Sequence, residues 1–257
     1  MELLFLGTGT SDGIPVIGCD CISCSSKDVR DRRTRSSVYI RENNIEILID
    51  ASTDLRYQFL REGINNIDFI LFTHHHADHI YGLDDIRPIN QKWKKKICCY
   101  GNNKTCNDIR KKFPYFFSCD QLGGGVPQIN LHEIEGPFTV EKENKKVSII
   151  PIDVYHGKIR INGFRINNMA YITDASSIPE SSYDLLKDLD VLVINALKYK
   201  SHNTHFSVEE ALMQAERIAA KKTYLTHMCH SIKHRKLENS LKNRSIYPAY
   251  DGLNIIC

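Results

Sequence analysis

Four histidines and an aspartate crowd into six positions, His74, His75, His76, Asp78 and His79, of the stretch FILFTHHHADHI, directly behind an apolar run. In an irregular loop after a strand, residues two apart can face the same way. His74 and His76 can therefore hold one ion while Asp78 and His79 reach a second. Imidazole and carboxylate together suit zinc, manganese or iron. A solvated turn capped by Asp78 would account for one such residue, but ligand types repeated at fixed spacing favour a metal site. His75 falls outside the pattern and reads as surface. A second cluster, Cys19, Cys21 and Cys24 in GCDCISC, has the close spacing of a zinc knuckle. Three thiolates need a fourth ligand to close a tetrahedral structural site, the alternative being buried free thiols.

Both clusters need elements to position them. ELLFLGTGTS reads as a strand running into a Gly-rich turn, and SSVYIRENNIEILIDAS as two strands joined by a tight turn at Asn43 and Asn44. TDLRYQFLREG has the helical spacing of Leu55, Phe59 and Leu60 and stops at Gly63, after which IDFILFT is a buried strand feeding the histidines. Further on, KKICCYG is a short strand, and NNKTCNDIRKKFPYFFSCDQLGGGVPQ is a helix followed by a long Gly and Pro loop. KVSIIPIDVYHG, NMAYITDAS and DVLVINAL are strands, SVEEALMQAERIAAKK is an amphipathic helix with Ser207 and Glu210 placed as a capping box, and TYLTHMCH is a last strand ending in histidine. The polar residues able to do chemistry fall at strand ends. No internal repeat or linker divides the chain, so residues 1–257 are expected to form a single domain.

A chain of 257 residues can bury a sizeable core, and 42% hydrophobic with 25% charged residues is ordinary for a globular protein. A net charge of +3 is too small to imply a nucleic-acid partner, and the basic clusters RDRRTR, KWKKK and RKK are dispersed as solvated faces. No apolar stretch approaches bilayer length and MELLFLGTG lacks a basic leader, which points to a cytoplasmic protein without a membrane partner. Nine cysteines, an odd count, fit a reducing compartment where clustered thiols serve metals or chemistry. Cys98, Cys99, Cys106, Cys119 and Cys257 show no pattern and read as small apolar fillers, and His132 reads as surface.

The ordered motifs resemble the metallo-β-lactamase superfamily: an Asp at a strand end (Asp50), His-x-His-x-Asp-His (His74, His76, Asp78, His79), a lone His (His156 in DVYHG), a lone Asp (Asp174 in YITDAS) and a final His (His227 in YLTHMCH). The resemblance spans nearly the whole chain and implies an α/β fold, a four-layer αββα sandwich with the site along one edge of paired sheets. It implies two divalent metals, Zn or Mn, one held by His74, His76 and His156 and the other by Asp78, His79 and His227, with Asp174 bridging. Asp50 then orients a ligand without binding metal. The segment LGTGTSDGIPVIGCDCISC, with RTRSS, GLDDIRP and THFSVEEA, is similar to the subgroup containing the phosphoribosyl 1,2-cyclic phosphate phosphodiesterase of bacterial phosphonate breakdown. In that subgroup such cysteines and a C-terminal histidine bind structural zinc, which makes His230 the fourth ligand beside Cys19, Cys21 and Cys24. Cys229 alternates away in an extended strand and reads as a buried thiol.

What the resemblance implies chemically is a phosphodiesterase acting on small cyclic or nucleotide-like diesters, with two cations about 3.5 to 4 Å apart activating a water for in-line attack on phosphorus. Asp78 and His205 are the expected catalytic residues. His205, immediately before the capped helix, is the expected proton donor, with His202 as its competitor. His234, after the two terminal histidines, is a candidate to support the ligands, and Asp251 a candidate to line the site or simply to form an Asp-Gly turn. Asn195 in VINALKY departs from the acid the subgroup implies there. Rival readings on the same motifs are a tRNA 3′-end endonuclease and a glyoxalase-type thioester hydrolase, neither of which explains the cysteine knuckle. A binding protein that had lost turnover is disfavoured by the complete ligand set. The expected partner is a small phosphodiester, and the sequence is compatible with a homodimer.

Overall fold

The computed structural model describes residues 1–118 and 125–257. In the first half, β1 (Glu2–Gly7), β2 (Ser37–Glu42) and β3 (Ile45–Ile49) lead to α1 (Leu55–Glu62), β4 (Phe69–Leu71), α2 (Ala77–Ile80), α3 (Arg87–Trp93), β5 (Ile97–Gly101), α4 (Asn103–Lys112) and β6 (Ile129–Glu133). The second half runs β7 (Phe138–Lys142), β8 (Lys145–His156), β9 (Ile159–Ile166), β10 (Met169–Ile172), β11 (Val191–Asn195), α5 (Val208–Ile218), β12 (Lys222–Thr226), α6 (His234–Ser240), β13 (Ile246–Pro248) and β14 (Asn254–Ile256). Among the described residues the strands form two seven-stranded sheets, ordered β14-β1-β2-β3-β4-β5-β6 and β13-β12-β11-β10-β9-β8-β7.

Side-chain alternation explains why the sheets pair. On β3, Ile45, Ile47 and Ile49 point to one face and meet Phe164, Tyr171, Val191 and Val193 of the other sheet. Leu48, on the opposite face, packs with Leu55, Phe59, Ile70 and Ile80 under the first set of helices. In the second sheet Leu192 and Ile194 turn outward against Ala211 and Ala215 of α5 and Leu237 of α6. The result is the four-layer αββα sandwich, with the continuous apolar runs of β3 and β11 buried on both faces. Each fully buried isoleucine contributes roughly 1.5–3 kcal/mol relative to exposure.

Local signals behave as their chemistry requires. Asn43 and Asn44 both take left-handed φ, 52° and 63°, as the tight turn between β2 and β3 demands. Ser207 and Glu210 close a reciprocal capping box on α5. α1 departs from expectation: Leu60 is 66% exposed, and the buried face is Leu55, Gln58 and Phe59. Gln58 is buried because its amide donates to Thr34 Oγ1 and Arg35 O and accepts from Ser52 Oγ. Cys99 and Cys106 are buried fillers, whereas Cys98 and Cys257 are half-buried; Cys119 lies outside the described residues, as does the start of the Gly-rich loop. His132 is exposed on β6, stacked on Tyr100. No helix among the described residues is long and apolar enough to cross a membrane.

The ends of β3, β4, β8, β10, β11 and β12 converge on one edge of the sandwich. The short turn after α2 is seated there by Gly82, whose N–H donates to Ala51 O; a Cβ at Gly82 would lie 2.0 Å from Ser52 O. Gly82→Ala is therefore expected to destabilise the fold by about 1–3 kcal/mol, the usual cost of forcing atoms into a filled site. Chemical denaturation of the metal-free protein reads this, and an unchanged midpoint would show that the contact relaxes freely.

Candidate metal centre

The histidine cluster starts where β4 ends and carries into α2, while the other ligands arrive from the facing sheet: His156 closes β8, Asp174 follows β10 and His227 follows β12. Ligand atoms of His74, His76 and His156 lie within 4.8 Å of one another, as do those of Asp78, His79, Asp174 and His227. Asp174 joins the two groups. One of its carboxylate oxygens lies 3.2 Å from His227 Nε2, the other 3.4 Å from His79 Nε2, and the carboxylate also groups with His156.

Hydrogen bonds decide which ring nitrogen faces the centre. His156 Nδ1 lies 2.7 Å from Thr204 O, an acceptor only, so Nδ1 carries the proton. His79 Nδ1 likewise donates to Asp50 Oδ2 at 2.8 Å. Thr73 Oγ1 gives its one proton to Asp50 and therefore accepts from His74 Nδ1 at 3.0 Å. Ser36 Oγ gives its proton to Gly9 O and accepts from His227 Nδ1 at 3.1 Å. In all four rings Nδ1 is engaged in this way, and Nε2 is the nitrogen left to face the centre. The Nε2 atoms of His74 and His79 are buried without a hydrogen-bond partner among the described residues. Buried donor atoms left unpaired and aimed at shared carboxylates are what a cation would satisfy.

Electrostatics agree. Burial opposes charge on His79, but the carboxylates of Asp78, Asp174 and Asp50 outweigh it and hold the imidazole well above its ordinary range. Burial and the charge of His79 drive His74 well below its ordinary range. Burial, reinforced by His156, takes His76 down to about 4, and burial takes His227 to about 4 despite Asp174. Asp78 falls to about 2 because the neighbouring His79 charge overrides its desolvation. Near neutrality His74, His76 and His227 are thus neutral and Asp78 is ionised, the ligand forms divalent metals require, whereas His79, held protonated by its carboxylates, must release its Nε2 proton to accept a cation.

Other expected residues divide. His205 is in the site: its Nε2 lies 3.0 Å from Asp174 Oδ1, and its ring stacks on His227 with centroids 5.0 Å apart. His202 stands behind it, Nδ1 to Nδ1 at 3.3 Å. His75 is half-buried beside Asp108 and belongs to no ligand group. Asn195 is wholly buried, where its amide accepts from Ala175 N–H at 2.8 Å and donates to Ala175 O at 3.0 Å. An ionised acid could not make the second bond, which is why an amide stands where an acid was expected. Asp251 does not line the centre: it accepts from the N–H and hydroxyl of both Thr8 and Thr34 and pairs with Arg61. His234 supports a different segment, its N–H donating to Asp31 Oδ1 at 2.7 Å. Ser36, Thr73 and Thr204 escaped sequence reasoning, although Thr73 adjoins His74 and Ser36 lies in RTRSS.

At the other cluster, His230 Nδ1 lies 3.2, 3.5 and 3.8 Å from Sγ of Cys19, Cys21 and Cys24. Tetrahedral zinc bonds of about 2.3 Å to sulfur and 2.0–2.1 Å to nitrogen place such atoms about 3.6 Å apart, so the set fits that ion. The Cys24 N–H lowers Cys21 to about 6, whereas burial raises Cys24 to about 11. Cys21 enters as thiolate; Cys24 needs a cation's charge to ionise. Cys229 is half-buried, not buried, and turns its thiol to Ser231 Oγ.

Three substitutions separate the centres. Ser36→Ala is expected to weaken divalent-metal affinity at the histidine centre 10- to 100-fold, the usual effect of losing a ligand's orienting partner. Cys21→Ser is expected to lose one zinc and melt earlier, because structural zinc contributes to folding. Asp78→Ala should stay folded and keep that zinc. Metal analysis with thermal melts reads all three, and unchanged affinity in Ser36→Ala would remove the hydroxyl from its orienting role.

Comparisons with known proteins agree on the fold and the family. The model of the beta-lactamase superfamily domain matches residues 46–228. A crystal structure described as a new diphosphatase from the PhnP family superposes with a TM-score of 0.90 at 40% identity, covering 99% of this chain and 96% of that one. Zn2+-bound PqqB from Methylobacterium extorquens shares the fold, with a TM-score of 0.79 at 16% identity over the full length of both chains. An octanoyltransferase from Porphyromonas gingivalis is 35% identical over 260 residues, which take in all of this chain but 51% of that protein. The chain spans about half the length of this curated relative, so that protein's activity is not carried across. With its paired sheets, ordered ligands and family match, the chain belongs to the beta-lactamase superfamily and carries the metallo-β-lactamase hydrolase fold.

Proposed function

We propose that the chain is a metal-dependent phosphodiesterase that hydrolyses small cyclic or nucleotide-like phosphodiesters. The observation that carries this reading is Asp174, one carboxylate within reach of both ligand groups, which suits a pair of divalent cations, zinc or manganese. His74, His76 and His156 would hold one, Asp78, His79 and His227 the other, and the knuckle a structural zinc. Such a pair, when bound, makes a water nucleophilic near neutral pH and offsets negative charge on phosphoryl oxygens. The 40% identity to a diphosphatase over nearly the whole chain supports phosphoryl substrates over thioesters.

The chain's own residues bind, orient and move protons. Water adds across a P–O bond: phosphorus gains the hydroxyl oxygen, and the departing oxygen needs a proton. His205 is the group to supply it. Its Nε2 edge reaches the centre beside Asp174, its Nδ1 is held at 2.9 Å from Thr204 Oγ1, and it arrives on a different segment from the serial ligands. In a cyclic diester the departing oxygen stays tethered, so protonation there completes ring opening to a phosphomonoester. A competing role for His205 as a ligand has its own support, since its ring atom groups with His156 and Asp174.

His205→Ala is expected to keep its metal content and fold and to lose about 10²- to 10⁴-fold in turnover, the range for removing a general acid. The loss should shrink for a nitrophenyl diester, whose leaving group needs no proton. Loss of metal in His205→Ala would make it a ligand, and full activity there with inactivity in His202→Ala would move the role. Small diesters are also expected to be cleaved far better than precursor tRNA, because the basic residues are dispersed. Comparable efficiency at a precursor 3′ end would favour the endonuclease reading.

A further inference from the structure

His202 belongs to no ligand group, yet it stands on a loop that the catalytic edge holds in place. Thr204 O accepts from His156 Nδ1 at 2.7 Å, and the Phe206 N–H donates to Ala175 O at 2.7 Å, beside Asp174. Phe206 O in turn accepts from the Leu197 N–H at 2.9 Å. The Thr204 methyl closes against Gly157, where an added Cβ would lie 3.0 Å from it. The loop is therefore seated on the ends of β8 and β10, and the rings of His202 and His205 come together with centroids 5.2 Å apart.

Proton directions follow from what each atom can do. The Thr204 N–H lies 3.4 Å from His202 Nδ1 and can only donate, so that nitrogen holds a lone pair. Burial and the nearby His205 charge hold His202 below its ordinary range, which keeps its imidazole neutral near neutrality and the lone pair in place. The contact between the two Nδ1 atoms, 3.3 Å, is then a hydrogen bond only if His205 supplies the proton. Thr204 Oγ1, 2.9 Å from His205 Nδ1 and 3.2 Å from His202 Nδ1, can accept from the first and donate to the second. His205 Nδ1–H thus meets two acceptors, while its Nε2 faces the centre beside Asp174.

We propose that His202 is the positioning residue of the proton donor: its Nδ1 accepts from His205 Nδ1–H and so keeps His205 Nε2 turned toward the departing oxygen. The inference rests on the phosphodiesterase reading, in which His205 gives up its Nε2 proton. That N–H bond breaks, an O–H bond forms on the departing oxygen, and the Nδ1 proton stays where it is. An imidazole without a partner at Nδ1 can turn over about Cβ–Cγ and bring carbon to the transfer position. Fixing the tautomer and the ring is the work a buried carboxylate does behind a triad histidine; here a neutral imidazole does it. Thr204 Oγ1 remains a second acceptor, so losing His202 costs less than losing His205.

The test uses the metal-loaded protein with adenosine 2′,3′-cyclic phosphate, whose leaving alkoxide needs a proton, and bis(4-nitrophenyl) phosphate, whose leaving group does not. His202→Leu fills the space without an acceptor, and His202→Asn puts Oδ1 near the place of Nδ1. With metal content and melting unchanged, His202→Leu should lose about 10- to 100-fold in kcat on the cyclic diester with KM little changed, the usual range for losing an orienting partner. It should lose little on the nitrophenyl diester, and His202→Asn should recover most of the loss. Full activity in His202→Leu, an equal loss on both diesters, or no recovery in His202→Asn overturns the role. If wild type cleaves neither diester, the phosphodiesterase reading fails on its own, and nitrogen-15 NMR of the zinc-loaded protein decides the contact. The His205 Nδ1–H signal, assigned by its absence from His205→Ala, should persist in His202→Asn and be lost to solvent exchange in His202→Leu. An equally persistent signal in His202→Leu overturns the proposal.

Discussion

Everything at the catalytic edge depends on one buried carboxylate. Asp50 is wholly buried and accepts three hydrogen bonds at 2.8 Å, from the Thr73 N–H, the Thr73 hydroxyl and His79 Nδ1. β4 is only three residues long, so without that clamp little would fix the chain as it leaves the sheet toward the ligands. The bonds propagate: because Thr73 spends its proton on Asp50, His74 must donate from Nδ1, and two of the ligands are oriented by a single anion.

The clamp also has a conformational cost. Asp50, Asp174 and His227 all adopt left-handed backbone, with φ of 64°, 59° and 54°. Such positions cost about 1–3 kcal/mol each for non-glycine residues and persist only where surrounding structure over-determines them. Here the over-determination is visible, in the bonds to Asp50, the Asn195 amide bracing Ala175 after Asp174, and Ser36 against His227.

Much of the arrangement was legible in the sequence. The ligand residues are read from type and order, since His-x-His-x-Asp-His, His156, Asp174 and His227 stand at ends of apolar runs whose strand character is local. Of what orients them, Asp50 was legible through the resemblance, and the hydroxyl and carbonyl partners were not. Ser36 lies 191 residues from His227, and Thr204 lies 48 from His156, so no spacing rule could couple them. β7 and β9 escaped because their alternating polar residues, with Gly163 inside β9, weaken the apolar signal. Leu60 shows the converse: it is apolar and near the stripe of α1, yet the buried polar network around Gln58 takes its place. Asp251 reads as a turn residue, while its real work is to join the Gly-rich loop at Thr8 to Thr34.

The division of ligands between the sheets has a thermodynamic consequence. The first sheet brings His74, His76, Asp78 and His79; the second brings His156, Asp174 and His227. Any ion spanning these donors is a cross-link between the two halves of the sandwich, and the unfolded chain cannot reproduce it. Occupancy and folding are then one linked equilibrium: a free-ion concentration a thousandfold above the dissociation constant adds about 4 kcal/mol to the stability of the folded state. The temperature at which the sheets part therefore reports how much metal the cell, or the buffer, supplies.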